Sequence, residues 1–476
     1  MKMIFIIFVY VSMLYCEVLE GMHLYTTMNQ NSGTTTFTSQ LIDHEGNEIN
    51  SWEHNRAPAS FPYLLPDSTL LYPSNAADPY FQVAASGGHI TIYDWNGESL
   101  WDYIYSDSMR IQHHDVEPMP NGNILLLCYE RISYEEAIQA GKTNIDGEIW
   151  PDMVVEISPG ELNTAEIVWE WRFWDHLIQD VDPTKDNYGV ISEHPELLNV
   201  NSIGVGGGAH QGHYSGDWLH ANSVHYNPIL DQIIISSRRA NEIYVIDHST
   251  TTEEAAGHSG GLSGKGGDIL YRWGNPENYG RGNNQDQKLF HQHTANWIPA
   301  GYPGEGNIIL YNNGTGNSGG PGWSTIIEIV PPYNGQEYEI NNNEAFGPEE
   351  PIWSYGDGNF FSPLQSSVFR LPNGNSFICV ADEARLIEVN LNGEIEWEWT
   401  YQGQGNISRS KKYSLDYLEN LLIGDVNSDE SLDVLDVILI VNIILTSQDY
   451  NPSADLDQNN EIDVLDIIML INIILN

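Results

Sequence analysis

Cysteine is scarce. There are three in 476 residues, and one of them, Cys16, lies in an N-terminal apolar run. The others, Cys128 and Cys379, sit in the runs NILLLCYE and SFICVADE. No disulfide framework can be built from them, and both read as buried free thiols. Positive charge is also scarce: 18 Lys and Arg face 66 Asp and Glu, a formal net charge of −48. That excludes nucleic acid, whose binding neutralises phosphates with Lys and Arg, and it disfavours an anionic membrane surface. Long apolar runs are missing as well. The stretch Met3–Cys16 is too short to span a bilayer, so no membrane span is expected. Preceded by Lys2, it reads as the core of a signal peptide over residues 1–21, which implies a secreted, periplasmic or cell-surface protein.

Apolar residues still make up 41% of the chain and aromatics 11%, which rules out wholesale disorder. With 43 Gly, 26 Tyr and 14 Trp, the composition points to an all-β chain of short strands and many turns. Two motifs alternate along residues 22–420. The first is a tight turn feeding an apolar run: Pro120-Asn-Gly-Asn-Ile-Leu and Pro372-Asn-Gly-Asn-Ser-Phe, with looser copies at Pro66, Pro228 and Gly304. The second closes each unit with an aromatic, centred on Trp52, Trp101, Trp169, Tyr271, Trp353 and Trp397. Strand-rich units repeating at tens of residues imply a β-propeller, here six-bladed.

Five opening turns against six closing strands require one blade to be shared between the chain ends. The N-terminal segment TTFTSQLIDHEGNEINSWEH would supply outer strands only, and the segment near ISRSKKYSLDYL the inner ones. Long loops are expected over 131–150, 174–217 and 251–267. The Gly runs in the last two (Gly206-Gly-Gly208 and Gly264-Lys-Gly-Gly267) do not fit phosphate loops and read as flexible.

Residues 421–476 differ abruptly. From Leu422 to Asn476 there is no Lys or Arg, and one acidic pattern occurs twice, 30 residues apart. The first copy presents Asp425, Asn427, Asp429, Ser431, Asp433 and Asp436, the second Asp455, Asp457, Asn459, Glu461, Asp463 and Asp466. Oxygen donors at loop positions 1, 3, 5, 9 and 12, with a backbone carbonyl at 7, are what calcium requires. Each loop runs into an apolar helix, so a small α-helical EF-hand-like module is expected. It resembles a type I dockerin. Position 6, usually Gly, is Glu430 and Asn460, and Glu tolerates the sharp turn poorly, so the first site should be the weaker. Positions 10 and 11 are Val434-Leu435 and Val464-Leu465, where Ser or Thr is usual in dockerins that bind cohesins. The partner is then either cohesin-like or the protein's own body.

The histidines are in phase with the turns. Six residues before Pro120, Pro228 and Pro299 lie His114, Asn222 and His293, and eight residues before lie Gln112, His220 and His291. Strand side chains alternate with period two, so these positions share one face of the channel-lining strand. Arg238 and Arg239 follow the next strand and can reach the same rim. His89, His225, His248 and His258 lack this phase and read as structural.

The blocks HHDVEPMPNGN, HANSVHYNP, SSRRANEIYVID and FHQHTANWIP resemble the bacterial arylsulfate sulfotransferases, six-bladed propellers, over roughly residues 30–420. The resemblance implies transfer of a sulfuryl group from an aryl sulfate donor to a phenolic acceptor, without a nucleotide sulfate, by ping-pong chemistry through a sulfated histidine. It implies His293 as nucleophile, with His220, Asn222, Arg238 and His114 around it; His113 has the wrong strand parity. Neutral imidazole is a good nucleophile near neutral pH. Arg238 and Asn222 would hold the non-bridging oxygens, and His220 or His114 would carry the proton. The transfer itself needs no cofactor. Two other readings fit the pattern less well: a non-catalytic extracellular binding propeller, and a metal-dependent propeller lyase or hydrolase, which the Asn and Arg beside the histidines suit poorly.

Overall fold

The computed structural model describes residues 18–476 apart from 32–33, 82–85, 207–215, 317–318, 357, 359, 404, 419–423, 428–430, 447–450, 455, 457–461 and 476. The proposed signal-peptide core therefore lies outside the described residues. Six four-stranded antiparallel sheets form the blades of a propeller. Blade 1 runs from Tyr63–Leu64 to Ser99–Ile104, blade 2 from Arg110–Pro118 to Ala165–Arg172, and blade 3 from Ala221–Asn227 to Tyr271–Trp273. Blade 4 spans His293–Trp297 to Trp353–Tyr355, and blade 5 Ser367–Arg370 to Ile395–Thr400. Blade 6 joins both ends of the chain. Its innermost strand is Ser410–Ser414, which pairs with Gly21–Asn31, followed outward by Thr34–Ile42 and Glu48–His54.

The shared blade is thus present, with one correction. The C-terminal segment contributes only the innermost strand, and the N-terminal segment contributes three, because Gly21–Asn31 pairs on both edges. Each PNGN-type turn joins the innermost strand of a blade to the second, so it lies at one end of the central channel.

All six closing aromatics lie in outermost strands, and their polar atoms explain why they recur. Trp52 Nε1 donates to Asp94 O of the next blade at 2.9 Å, Trp101 to Thr164 O at 2.9 Å, and Trp169 to Thr250 Oγ1 at 3.1 Å. Tyr271 Oη donates to Gly347 O and its neighbour Trp273 to Pro348 O, both at 2.8 Å. Trp353 donates to Leu391 O at 2.9 Å, and Trp397 to His44 O at 3.0 Å, which returns the ring to blade 6. Each ring fills the gap between two blades, and its N–H or O–H needs a partner there. A buried donor left unpaired would cost about 1–3 kcal/mol.

Cys128 and Cys379 are buried free thiols on the second strands of blades 2 and 5. The long loops leave the blades where expected and carry short helices at Tyr134–Gln139 and Thr252–Ala255. Gly266 and Gly267 are tightly packed, in contrast to the flexible loop expected there, whereas Gly264 is exposed. A Cβ on Gly267 would lie 1.9 Å from Ala255 O and one on Gly266 2.5 Å from Gly257 O. At the C-terminus, helices Val434–Thr446 and Val464–Leu475 pack through Ile440, Leu456 and Leu470. Among the described residues no helix is long and apolar enough to cross a membrane.

Candidate active site

The innermost strands of blades 2, 3 and 4 bring the candidate histidines to one end of the channel, opposite the turns. All three strands break their regular pairing there: between Gln112 and Val116, between Ala221 and Ser223, and between His293 and Asn296. His114 (φ 51°), His220 (φ 52°) and Thr294 (φ 51°) adopt left-handed backbone at or beside these breaks. Such bulges re-aim side chains. They also overturn the strict period-two reading. Gln112 turns away from the histidines: its Oε1 accepts from Gly88 N at 2.9 Å and its Nε2 donates to Asp115 O at 3.2 Å. His291 sits half-buried at the rim, its Nδ1 2.7 Å from Thr315 Oγ1.

The five candidates from the sequence converge. The His114 and His220 rings meet edge to face with centroids 4.8 Å apart. Asn222 Nδ2 donates to Gln292 O, beside His293, at 2.7 Å, while its buried Oδ1 has no partner among the described residues. The charge of Arg238 bears on His114, His291 and His293. Its buried Nε has no hydrogen-bond partner among the described residues, and burial lowers its pKa. Arg239 is engaged instead, donating to the carbonyls of Asp217, Gly204 and Gly206.

The tautomer of His293 follows from its neighbours. Asn313 Nδ2 donates to Ser362 O at 2.8 Å and Gln365 O at 3.1 Å, so its Oδ1 faces His293 Nδ1 at 2.7 Å. His291 O is a second acceptor, 3.1 Å from the same nitrogen. Nδ1 therefore carries the hydrogen and Nε2 the lone pair. Among the described residues, only a long 3.3 Å contact from Gln365 N reaches Nε2. Burial above all, opposed by the Asn313 bond and reinforced by Arg238 and His220, holds His293 down to about 3, so the ring is neutral. Burial and the surrounding charges push His114 well below the ordinary histidine value too.

Asp217 Oδ2 lies 2.7 Å from His220 Nδ1, which turns His220 Nε2 toward the cluster. Burial raises the Asp217 pKa, but His220 and Arg239 outweigh it and bring the carboxyl to about 2. His113 is fully buried behind His114, with their Nδ1 atoms 2.8 Å apart and its Nε2 3.1 Å from Asp152 Oδ1. Sequence reading missed Asn313 and Asp217. Asp217 is three residues from His220, a readable proximity, whereas Asn313 lies on another segment with no spacing to flag it.

In the C-terminal loops, Asp436 and Asp466 are buried and act alike. Asp436 accepts from Val426 N, Asn427 N and Asp433 N, and Asp466 from Leu456 N and Asp463 N. Asp425, Asn427, Ser431, Asp433 and Asp463 are also described. Asp429, Asp455, Asp457, Asn459 and Glu461 lie outside the described residues, as do Glu430 and Asn460. Val434, Leu435, Val464 and Leu465 are 52–64% exposed, so these four do not dock on the protein's own body.

At one channel mouth of this six-bladed propeller, then, a neutral histidine lies within electrostatic reach of a partly buried arginine. Residues 23–401 match the family Arylsulfotransferase (ASST), and the chain belongs to that family. Residues 423–475 match the dockerin type I domain. No curated protein matches the chain. Among solved structures, it is similar to a protein of unknown function from Bacteroides caccae at 10% identity and TM-score 0.42, covering 83% of this chain and 99% of that one. It is also similar to a putative 6-phosphogluconolactonase from Bacteroides fragilis, at 9% identity and TM-score 0.39, covering 83% and 98%. Neither likeness is close enough to bear on function.

Proposed function

We propose that the protein is a secreted enzyme that moves a sulfuryl group from an aryl sulfate to a phenol through a sulfated His293, without a nucleotide donor. The observation that carries this reading is the lone pair of His293 Nε2 within electrostatic reach of Arg238, whose buried Nε has no partner among the described residues. His293 Nε2 attacks sulfur; an N–S bond forms, the S–O(aryl) bond breaks and the phenolate leaves. His220, oriented by Asp217, gives the departing phenolate its proton. In the second half the incoming phenol returns a proton to His220 as its oxygen attacks sulfur and the N–S bond breaks. Arg238 and the second N–H of Asn222 Nδ2, the first being given to Gln292 O, would hold the sulfuryl oxygens, where charge must be stabilised throughout. His114 packs against His220 and helps hold its ring in place.

The test is phenol release from a chromogenic aryl sulfate, with and without a second phenol. Release accelerated by the acceptor supports transfer. No release across a panel of aryl sulfates would leave a binding propeller.

A depressed nucleophile pKa has a signature. An ordinary histidine, with a pKa near 6.5, would be about 97% protonated at pH 5, and kcat/KM for the donor would fall about 30-fold from its plateau. Because His293 is held to about 3, its lone pair survives that range. Initial rates at pH 7 and pH 5, started from a neutral stock, should differ less than about threefold on this account. A full 30-fold loss following a single pKa near 6.5 would contradict it.

The C-terminal module, proposed over residues 421–476, would bind calcium. The donors of its first loop are all oxygen, which suits a hard cation. Asp425, Asn427, Asp433 and Asp436 would hold the ion with the Ser431 carbonyl, and calcium would neutralise carboxylates that otherwise repel. Removing calcium from the full chain should lower helical ellipticity, reversibly on calcium addition, and leave aryl sulfate turnover unchanged. Unaltered ellipticity would contradict calcium-dependent folding. The exposed Val434-Leu435 and Val464-Leu465 pairs would then meet a cohesin-like partner.

A further inference from the structure

The proposed chemistry leaves a compact His-His-Asp cluster unused. His176 follows the outermost strand of blade 2, whereas His258 and Asp268 belong to the loop between the third strand of blade 3 (Glu242–Asp247) and its fourth. Asp268 Oδ1 lies 3.0 Å from His176 Nδ1 and 2.6 Å from His258 Nδ1. A nitrogen from each ring and a carboxylate oxygen all lie within 4.8 Å of one another.

The far edge of His176 determines what faces Asp268. His176 Nε2 is 2.9 Å from the Ala255 carbonyl, which only accepts, so Nε2 carries a hydrogen. A neutral His176 then directs the bare lone pair of Nδ1 at a carboxylate oxygen. Two acceptors 3.0 Å apart repel unless a proton or a metal cation lies between them. His176 is fully buried and stacked on Trp171, with centroids 5.7 Å apart. A metal needs only the neutral ring and the carboxylate. An imidazole whose other N–H is held by a backbone carbonyl is the usual outer support of a metal ligand. Gly267 makes room for that support, since a Cβ there would lie 2.6 Å from His176 Nε2. His258 is 62% exposed, which leaves a further coordination position open to water.

We propose that His176, His258 and Asp268 form a site for a zinc-class divalent cation that fastens the 251–268 loop to blade 2. Two imidazoles and one carboxylate suit zinc, cobalt or nickel, in contrast to the all-oxygen donors of the C-terminal loops. Tetrahedral zinc holds its nitrogen and oxygen ligands about 3.3 Å apart, so the two His–Asp separations need open only slightly to admit it. The cation would join residues 92 apart in sequence, on a loop that also receives the Trp169 and Trp171 indole N–H groups at Thr250 and Gly267.

The test uses the full chain, stripped of metal, saturated with calcium to fill the C-terminal loops, and titrated with cobalt(II). One equivalent should give the intense visible bands of tetrahedral cobalt, which zinc then bleaches. His258→Ala, at an exposed position that should not disturb folding, should weaken cobalt binding by at least about 100-fold, and Asp268→Asn should do the same. Trypsin supplies a second readout, because Lys265 is the one basic residue within 251–268. Zinc should slow cleavage there by about tenfold or more in the wild type and not in His258→Ala. No tetrahedral spectrum from the wild type, or equal cobalt affinity in wild type and His258→Ala, would overturn the site and leave a hydrogen-bonded His-Asp cluster.

Discussion

Replacing His293 by Ala is expected to abolish sulfuryl transfer, lowering turnover of an aryl sulfate by at least about 10⁴-fold. The magnitude follows from the role. If the enzyme works through an N–S bond, neither half-reaction has a route without that nitrogen, and the remaining groups only bind and polarise the donor. The same variant separates covalent from direct transfer. Wild type incubated with donor alone should gain the mass of one sulfuryl group, and His293→Ala should not. Folding is a fair concern because His293 is only 6% exposed and hydrogen-bonds Asn313. Thermal unfolding of the variant, and of a His293→Gln companion that retains a polar group there, should therefore accompany the kinetics. Folded variants with wild-type turnover would assign the nucleophile to another residue, His220 or His114 first.

The second large effect belongs to Arg238. Arg238→Ala should cost about 10²–10³ in kcat/KM for the donor, the usual loss when one preorganised oxyanion contact is removed. The protein carries a net charge of −48, so a partly buried guanidinium whose Nε has no partner among the described residues would attract a sulfate at this mouth. Arg238→Lys keeps the charge but loses the planar fork, and should recover only part of the activity. The neighbouring Arg239 is the contrast, because it is tied to three backbone carbonyls and holds loop structure. If Arg238→Ala stayed within about threefold of wild type, the sulfuryl oxygens would have to be held elsewhere, and Asn222 would be the next candidate.

Much of the propeller is legible in the sequence because its signals are local. A Pro-Asn-Gly-Asn turn needs only four neighbours to form, and a closing Trp is marked by its own strand. The turns and the six closing aromatics appear in the structure at equivalent places in the blades. The shared blade could be inferred by counting, but its division could not: Gly21–Asn31 shows its role only once Ser410–Ser414 lies beside it. The channel histidines were legible from their offset to the turns. The assumption of unbroken alternation was wrong, since all three strands bulge at the site, which removes Gln112 from the cluster and leaves His291 at its rim.

The sequence alone therefore determined the repeat, the blade number, the acidic character, the two C-terminal loops and the residues that converge at the channel mouth. Each depends on spacing within one segment or on composition. The tertiary structure decided what those residues are chemically. Asn313 gives His293 its tautomer from 20 residues away, and Ser362 and Gln365 set the orientation of Asn313 from a third segment. Burial then keeps the ring neutral, and Asp217 turns His220 inward. Proton position and pKa depend on which groups surround an atom in three dimensions, and the loops and strand ends that meet there have no fixed spacing along the chain.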